Sequence, residues 1–215
     1  MGIWKKCTLS DLGEIVGGAT PSTKNGSYYG GDVAWITPKD LSIFNGRFIS
    51  CGERNITIEG LKNCSAKILP PNSVLFTSRA PIGYVAIAKN DLCTNQGFKS
   101  IIPNSDTDSL FLYYLLVHNC NRIENMGSGT TFKEISGSVM KQITVSVPVN
   151  IDEQRKIALL LGAFDDKIEN NNEINHHLSV SRSATDSSPD ISFGSKASRR
   201  VARRTDSFKL FRIAS

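Results

Sequence analysis

Residues 143–178 read ITVSVPVNIDEQRKIALLLGAFDDKIENNNEINHHL. An alternating strand, Ile143 to Val147, runs into Pro148 and then into one long helix. Asn150 with Glu153 has the N-x-x-E spacing of a capping box, so the helix start is specified locally. No breaker stronger than Gly162 interrupts the run to Leu178, which at about 1.5 Å per residue makes a rod of roughly 40 Å. Ile157, Leu161, Phe164 and Ile168 share one stripe with Leu160 beside it, and such a stripe requires burial against a partner, most simply another helix. Beyond Ile168 the seam passes to Asn171 and Asn175, while Ile174 and Leu178 drift to a neighbouring face, unlike a strict heptad. The helix therefore either packs on its own domain or serves as a spacer or assembly element whose polar seam positions set register.

Upstream, to about Val149, short β-like runs alternate with turn chemistry. Val33 to Thr37, Ser73 to Thr77, Tyr84 to Ala88, Lys99 to Ile102 and Ile143 to Val147 read as strands, divided by Asn45-Gly46, Pro70-Pro71-Asn72 and Lys89-Asn90-Asp91. One helix interrupts them, Ser109 to His118, with Ser105, Asp106 or Asp108 available as its cap. The expected fold is α+β: one globular domain over residues 1–149 with a twisted, mainly antiparallel sheet and a few helices, then a long helix over 150–178. From Ser179 the chain changes character. Ser and Arg dominate and apolar residues lose any period, so disorder is expected over 179–215. A basic nucleic-acid-binding tail and a fused or frameshifted end are the alternatives.

The chain of 215 residues carries a net charge of +5, with 40% hydrophobic and 21% charged residues, a globular composition. Located along the sequence, the excess belongs to the tail: residues 1–178 hold 17 Lys+Arg and 17 Asp+Glu, and 179–215 hold 8 and 3. The body before the helix is mildly basic, which permits contact with nucleic acid without requiring it. No run of about 18 apolar residues exists and Met1 to Ser10 lacks a signal core, so no membrane partner is expected and a cytoplasmic location is. Cys7, Cys51, Cys64, Cys93 and Cys120 include no C-x-x-C pair and read as reduced thiols.

Catalytic candidates are sparse. The histidines are His118, within the apolar helix, and His176 and His177, whose adjacency turns them about 100° apart on a helix and disfavours a shared metal. No glycine-rich phosphate loop, G-x-S-x-G elbow or H-E-x-x-H helix is present. Ser78 and Cys93 are conceivable nucleophiles, but an enzyme would need His118 exposed beside one of them. Recognition features are richer. Gly17 to Ser22, Trp35 to Leu41, Phe76 to Gly83, Thr94 to Lys99 and Gly127 to Ile135 each combine Gly or Pro with hydroxyls, amides or one cation. Such groups bond phosphates and read base edges. The competing explanation is turn and capping duty: Asn95-Gln96 tying two loops, Arg79 pairing with Asp40 or Glu134, Thr130-Thr131 capping a short helix.

Trp4 with Leu12-Gly-Glu-Ile and Gly18-Ala-Thr-Pro-Ser, then Trp35-Ile-Thr-Pro-Lys-Asp-Leu, Leu69-Pro-Pro-Asn-Ser-Val-Leu, Thr77-Ser-Arg-Ala-Pro-Ile-Gly, Thr94-Asn-Gln-Gly-Phe and Gly129-Thr-Thr-Phe-Lys-Glu-Ile closely resemble a target recognition domain. The family is the specificity subunit of type I restriction-modification systems. Pro148 followed by Asp152-Glu-Gln-Arg-Lys-Ile-Ala and Leu160 to Glu173 resembles its spacer helix. The resemblance covers residues 1–178 and departs in two respects. The family's subunit has two recognition domains and two spacer helices, whereas this chain has one of each, and the helix register fades near Leu178.

The resemblance implies a non-catalytic subunit, without a cofactor or metal of its own, that docks on the major groove of double-stranded DNA and reads one half-site. Modification (methyltransferase) subunits would bring S-adenosylmethionine and, through them, a restriction motor subunit would bring ATP-driven cleavage. A half-subunit could restore two-fold geometry as a homodimer. The alternative is a truncated decoy or remnant that occupies partner subunits without reading DNA. By residue type and loop position, Arg79 and Gln96 are the base-contact candidates and Lys39, Lys99 and Lys133 the phosphate contacts. Ile157, Leu160, Leu161, Phe164 and Ile168 are the interface candidates.

Overall fold

The computed structural model describes residues 2–79, 81–129 and 133–185. Thr130 and Thr131, and the tail beyond Thr185, lie outside the described residues, as do the side chains of His176 and His177. In chain order the elements are β1 (Trp4–Thr8), α1 (Leu9–Leu12), β2 (Gly13–Gly17), a 3-10 turn (Gly26–Tyr28), β3 (Tyr29–Val33), β4 (Trp35–Ile36), α2 (Pro38–Ile43), β5 (Phe48–Ile49) and α3 (Ile58–Lys62). They continue with β6 (Val74–Phe76), β7 (Val85–Ala88), β8 (Cys93–Thr94), β9 (Lys99–Pro103), α4 (Ser109–Asn125), α5 (Gly137–Gln142), β10 (Thr144–Pro148) and α6 (Ile151–Thr185). The expected α+β class is the observed one.

The main sheet has the order β2-β9-β6-β7-β5, antiparallel except for the β5–β7 pair. β4 and β8 form a separate two-stranded parallel pair, and β1 pairs antiparallel with β10 from Trp4↔Pro148 to Thr8↔Thr144. The central strands are buried on both faces: Val74, Leu75, Phe76, Ala86, Ile87 and Ile101 are all inaccessible. This explains why they read as short unbroken apolar runs. One core cluster gathers Ile36, Leu69, Leu75, Leu92 and Phe98, and a smaller one Trp35, Ile56 and Cys93. α4 packs on β6 and β7, its start fixed by Asp108, whose Oδ1 accepts the Phe111 N–H at 2.9 Å. Of the three cap candidates Asp108 is therefore the one used, and the helix runs on past His118 to Asn125.

Two short helices begin with the same Thr-x-x-Asp device. Asp11 accepts the backbone N–H and hydroxyl of Thr8, both at 2.7 Å. Asp40 accepts those of Thr37 at 2.7 and 2.6 Å.

The chain divides into two units, Met1–Ala158 and Leu159–Ser215, a boundary that falls inside α6. The first turns of α6 belong to the first unit for a specific reason. Gln154 is buried, donates from Nε2 to the carbonyls of Asp106 and Pro148 (both 3.1 Å), and accepts the Asp108 N–H at 3.0 Å through Oε1. One turn later Ala158 is buried as well. The face that binds the body is thus Gln154 and Ala158, one step away from the Ile157 stripe. The cap also differs from the N-x-x-E expectation: Asn150 Oδ1 accepts the Asp152 N–H at 2.8 Å, one residue earlier than a capping box requires. Within the second unit the helix continues to Thr185, past the expected end at Leu178, and Leu160, Phe164 and Ile168 are 57%, 49% and 41% exposed.

Candidate nucleic-acid interface

All five polar loops singled out in the sequence are stitched to one another by backbone contacts, the 35–41 loop through the Asn95 N–H donating to Ile36 O at 3.0 Å. The Gly17–Ser22 loop lies on the 94–97 loop: Ala19 N–H donates to Thr94 O at 2.9 Å, and Thr20 Oγ1 donates to Gln96 Oε1. Gly18 has to be glycine there, because a Cβ would collide with the carbonyl oxygens of Thr94 and Asn95. The 94–97 turn is closed by Asn95 Oδ1 accepting the Gly97 N–H at 2.9 Å. It joins the 76–83 loop through Ser78, whose N–H and hydroxyl both donate to Gly97 O at 2.8 and 3.2 Å. Ser78 O in turn accepts the Ile135 N–H at 2.9 Å, and Ser128 and Glu134 exchange N–H···O bonds at 3.2 and 3.0 Å, which brings in the 127–135 loop. Pro38, opening α2, packs against Gly97.

The candidate residues occupy this surface unequally. Arg79 and Lys99 converge on one carboxylate: Arg79 Nη1 and Lys99 Nζ each stand 3.9 Å from an oxygen of Glu134. Arg79 is 37% exposed and Lys99 17%. Lys133 is exposed and adjacent in the chain to Glu134. Gln96 is exposed and spends its carbonyl on Thr20, so the loop-tying role foreseen for it is real, while its amide N–H2 stays outside that bond. Lys39, next to Pro38, is committed elsewhere: Nζ donates to Glu53 Oε2 at 2.6 Å, and that hydrogen bond holds the ammonium above its ordinary pKa. Of the two anions considered for Arg79, Glu134 is the partner; Asp40 is occupied by Thr37 and by the Glu53 N–H at 2.7 Å.

Sequence reasoning missed Arg54. Its guanidinium lies over the Tyr29 ring, 3.7 Å from the centroid. No motif surrounds Arg54, and the stack joins residues from separate segments, so only the folded chain displays it.

The conceivable nucleophiles are fully buried. Ser78 is spent on Gly97, and the Cys93 thiol donates to Ala34 O at 3.4 Å. Burial, with a smaller contribution from Cys64, pushes the Cys93 thiol up to about 12. His118 is exposed on α4. Among the described residues no three His, Cys, Asp or Glu side chains cluster as a metal site, and no helix is long and apolar enough to cross a membrane.

Residues 1–179 match the family model described as type I restriction modification DNA specificity domain. The chain belongs to this family. Among curated type I specificity subunits, it is 49% identical over 177 residues to the MjaIX subunit of Methanocaldococcus jannaschii, covering 81% of this chain and 41% of that protein. It is 30% identical over 169 residues to the EcoR124I/EcoR124II subunit of Escherichia coli, covering 75% and 40%. The chain therefore spans about two fifths of these relatives' length. The fold is also that of solved type I specificity subunits. The HsdS subunit of Thermoanaerobacter tengcongensis aligns with a TM-score of 0.58 at 20% identity, over 78% of this chain and 37% of that one. The subunit from M. genitalium gives 0.56 at 23%, over 82% and 44%. For this specificity-family domain the loop cluster is the natural candidate for the recognition surface.

Proposed function

We propose that this chain is a non-catalytic DNA recognition module of a type I restriction-modification complex. It reads one half of a bipartite duplex site through the 17–22, 76–83, 94–99 and 127–135 loops and docks modification subunits through α6. The observation that carries this reading is the stitching of those loops into one surface on which Arg79 and Lys99 converge on Glu134, with the exposed Lys133 beside it in the chain. Preorganised cations of this kind bind phosphate and base edges at low ordering cost. Methyl transfer and cleavage are left to the partner subunits, and through the modification subunits the restriction motor would be recruited.

The test is selection of duplexes from a random pool by the purified chain, with and without modification subunits, followed by affinity measurement across a salt series. A recurring half-site bound more tightly than random duplex, with affinity falling steeply as salt rises, supports the reading. A chain that binds modification subunits yet selects no sequence supports instead the decoy reading, which the exposed Leu160, Phe164 and Ile168 favour without requiring the loops.

A further inference from the structure

We propose that Arg54 is an additional DNA-contacting residue of this surface, held ready by the ring of Tyr29. The inference rests on the DNA-reading function above and adds to it a residue outside every recognised motif. Its platform is fixed at two points. Tyr29 OH donates to Pro21 O at 2.8 Å, and Trp35 meets the ring edge-on with centroids 6.0 Å apart. Trp35 is itself anchored by Nε1 donating to Ala19 O at 3.1 Å. Pro21 and Ala19 belong to the loop that Thr20 ties to Gln96, so the platform beneath the guanidinium is part of the loop cluster. A second, independent path leads to the same place: the Glu53 N–H donates to Asp40 Oδ1 at 2.7 Å at the start of α2, whose Pro38 packs on Gly97.

Arg54 is exposed, and among the described residues its guanidinium has no ion pair, unlike Lys39, Arg79 and Lys99, each of which faces a carboxylate. The ring occupies the face of the cation and leaves its N–H edge for an outside pair of acceptors. Stacking also removes rotamer freedom before the ligand arrives, so less is lost on binding. Two acceptors side by side are offered by guanine O6 and N7 or by two oxygens of a phosphate, and the forked donor suits both.

The experiment compares wild type, Arg54→Ala, Arg54→Lys and Tyr29→Leu in the full chain, on a duplex selected by wild type and on random duplex, across a salt series, with thermal melting as a check of folding. Arg54→Ala should bind the selected duplex about tenfold more weakly, with the slope of log K against log salt reduced by about one. Arg54→Lys that restores the slope while one base pair loses its preference identifies a guanine contact; recovery of both identifies a phosphate contact. Tyr29→Leu should lose several-fold in affinity with Arg54 still present. Arg54→Ala with wild-type affinity, slope and preference overturns the proposal, as does a lowered melting temperature with unchanged binding, which would make the stack a structural clasp. If wild type itself shows no salt-dependent duplex binding, the DNA-reading function falls, and Arg54 with it.

Discussion

A carboxylate set between two cations decides how those cations meet a ligand. The pairs of Glu134 with Arg79 and Lys99 are long, 3.9 Å each, and partly solvated, so each is worth at most about 1 kcal/mol. On the proposed function, a phosphate or base edge would compete with them at small cost, while the unbound side chains stay oriented. Replacing Arg79 by Ala should cost about 1 to 3 kcal/mol of DNA affinity and relax one position of the site, whereas Lys133→Ala should weaken all sequences alike and lower the salt slope by about one. Competition binding against single-substituted duplexes separates the two outcomes. Cys93 makes a different residue-scale prediction. Its thiol is held near 12 against an ordinary value of 9.0. The unfolded chain therefore releases the proton first, and stability is fully present below about pH 9 and declines as pH rises toward 12. Urea midpoints of wild type should fall between pH 8.5 and pH 10.5 more steeply than those of Cys93→Ala, and in the native protein the exposed Cys51 should alkylate far faster than Cys93.

Among the elements, the junction between the body and α6 hangs on one amide. Gln154 satisfies two carbonyls and one N–H at once, including the N–H of the residue that caps α4. Truncation would leave buried backbone groups unpaired, so Gln154→Ala should destabilise the body by about 1 to 3 kcal/mol in urea unfolding. Asn150→Ala, which loses a single exposed cap bond, should cost about 1 kcal/mol or less. The sequence displayed elements with a strong local period: the strands around residues 74–76, 85–88, 99–103 and 144–148 lie where alternation and apolar runs placed them. It hid β1 and β2. Trp4–Thr8 carries two lysines and exposed side chains, and Gly13–Gly17 is flanked by glycines, so both become strands only through their partners β10 and β9. The role of Gln154 was equally invisible, because a polar residue in an amphipathic helix ordinarily faces water.

For the molecule as a whole, the loop motifs were legible as polar clusters with fixed geometry, and their assembly into one surface was not. The links that assemble them are backbone bonds between distant segments, such as Ser78 N–H to Gly97 O and Ile135 N–H to Ser78 O, which no local pattern encodes. The apolar stripe of α6 was legible as far as Ile168, and in the single chain Leu160 and Phe164 stand exposed. Each such side chain contributes about 1.5 to 3 kcal/mol when fully buried. The double change Leu160→Glu with Phe164→Glu should therefore weaken association with modification subunits, or with a second copy, by more than tenfold. Duplex affinity of the isolated chain should stay unchanged. Light scattering and co-purification report the first outcome, fluorescence anisotropy the second.

The pairing of Trp4–Thr8 with Thr144–Pro148 brings the earliest strand alongside the one that leads into α6, down to Val149 N–H bonding Ile3 O at 2.9 Å. Everything between Thr8 and Thr144 is thus enclosed by a two-stranded clasp. Among the described residues, apart from the 106–108 segment that Gln154 grips, loops inside it are connected to the root of the rod only through the body they share. On the proposed function, such a layout would let the text being read change while the mounting of the reader stays constant.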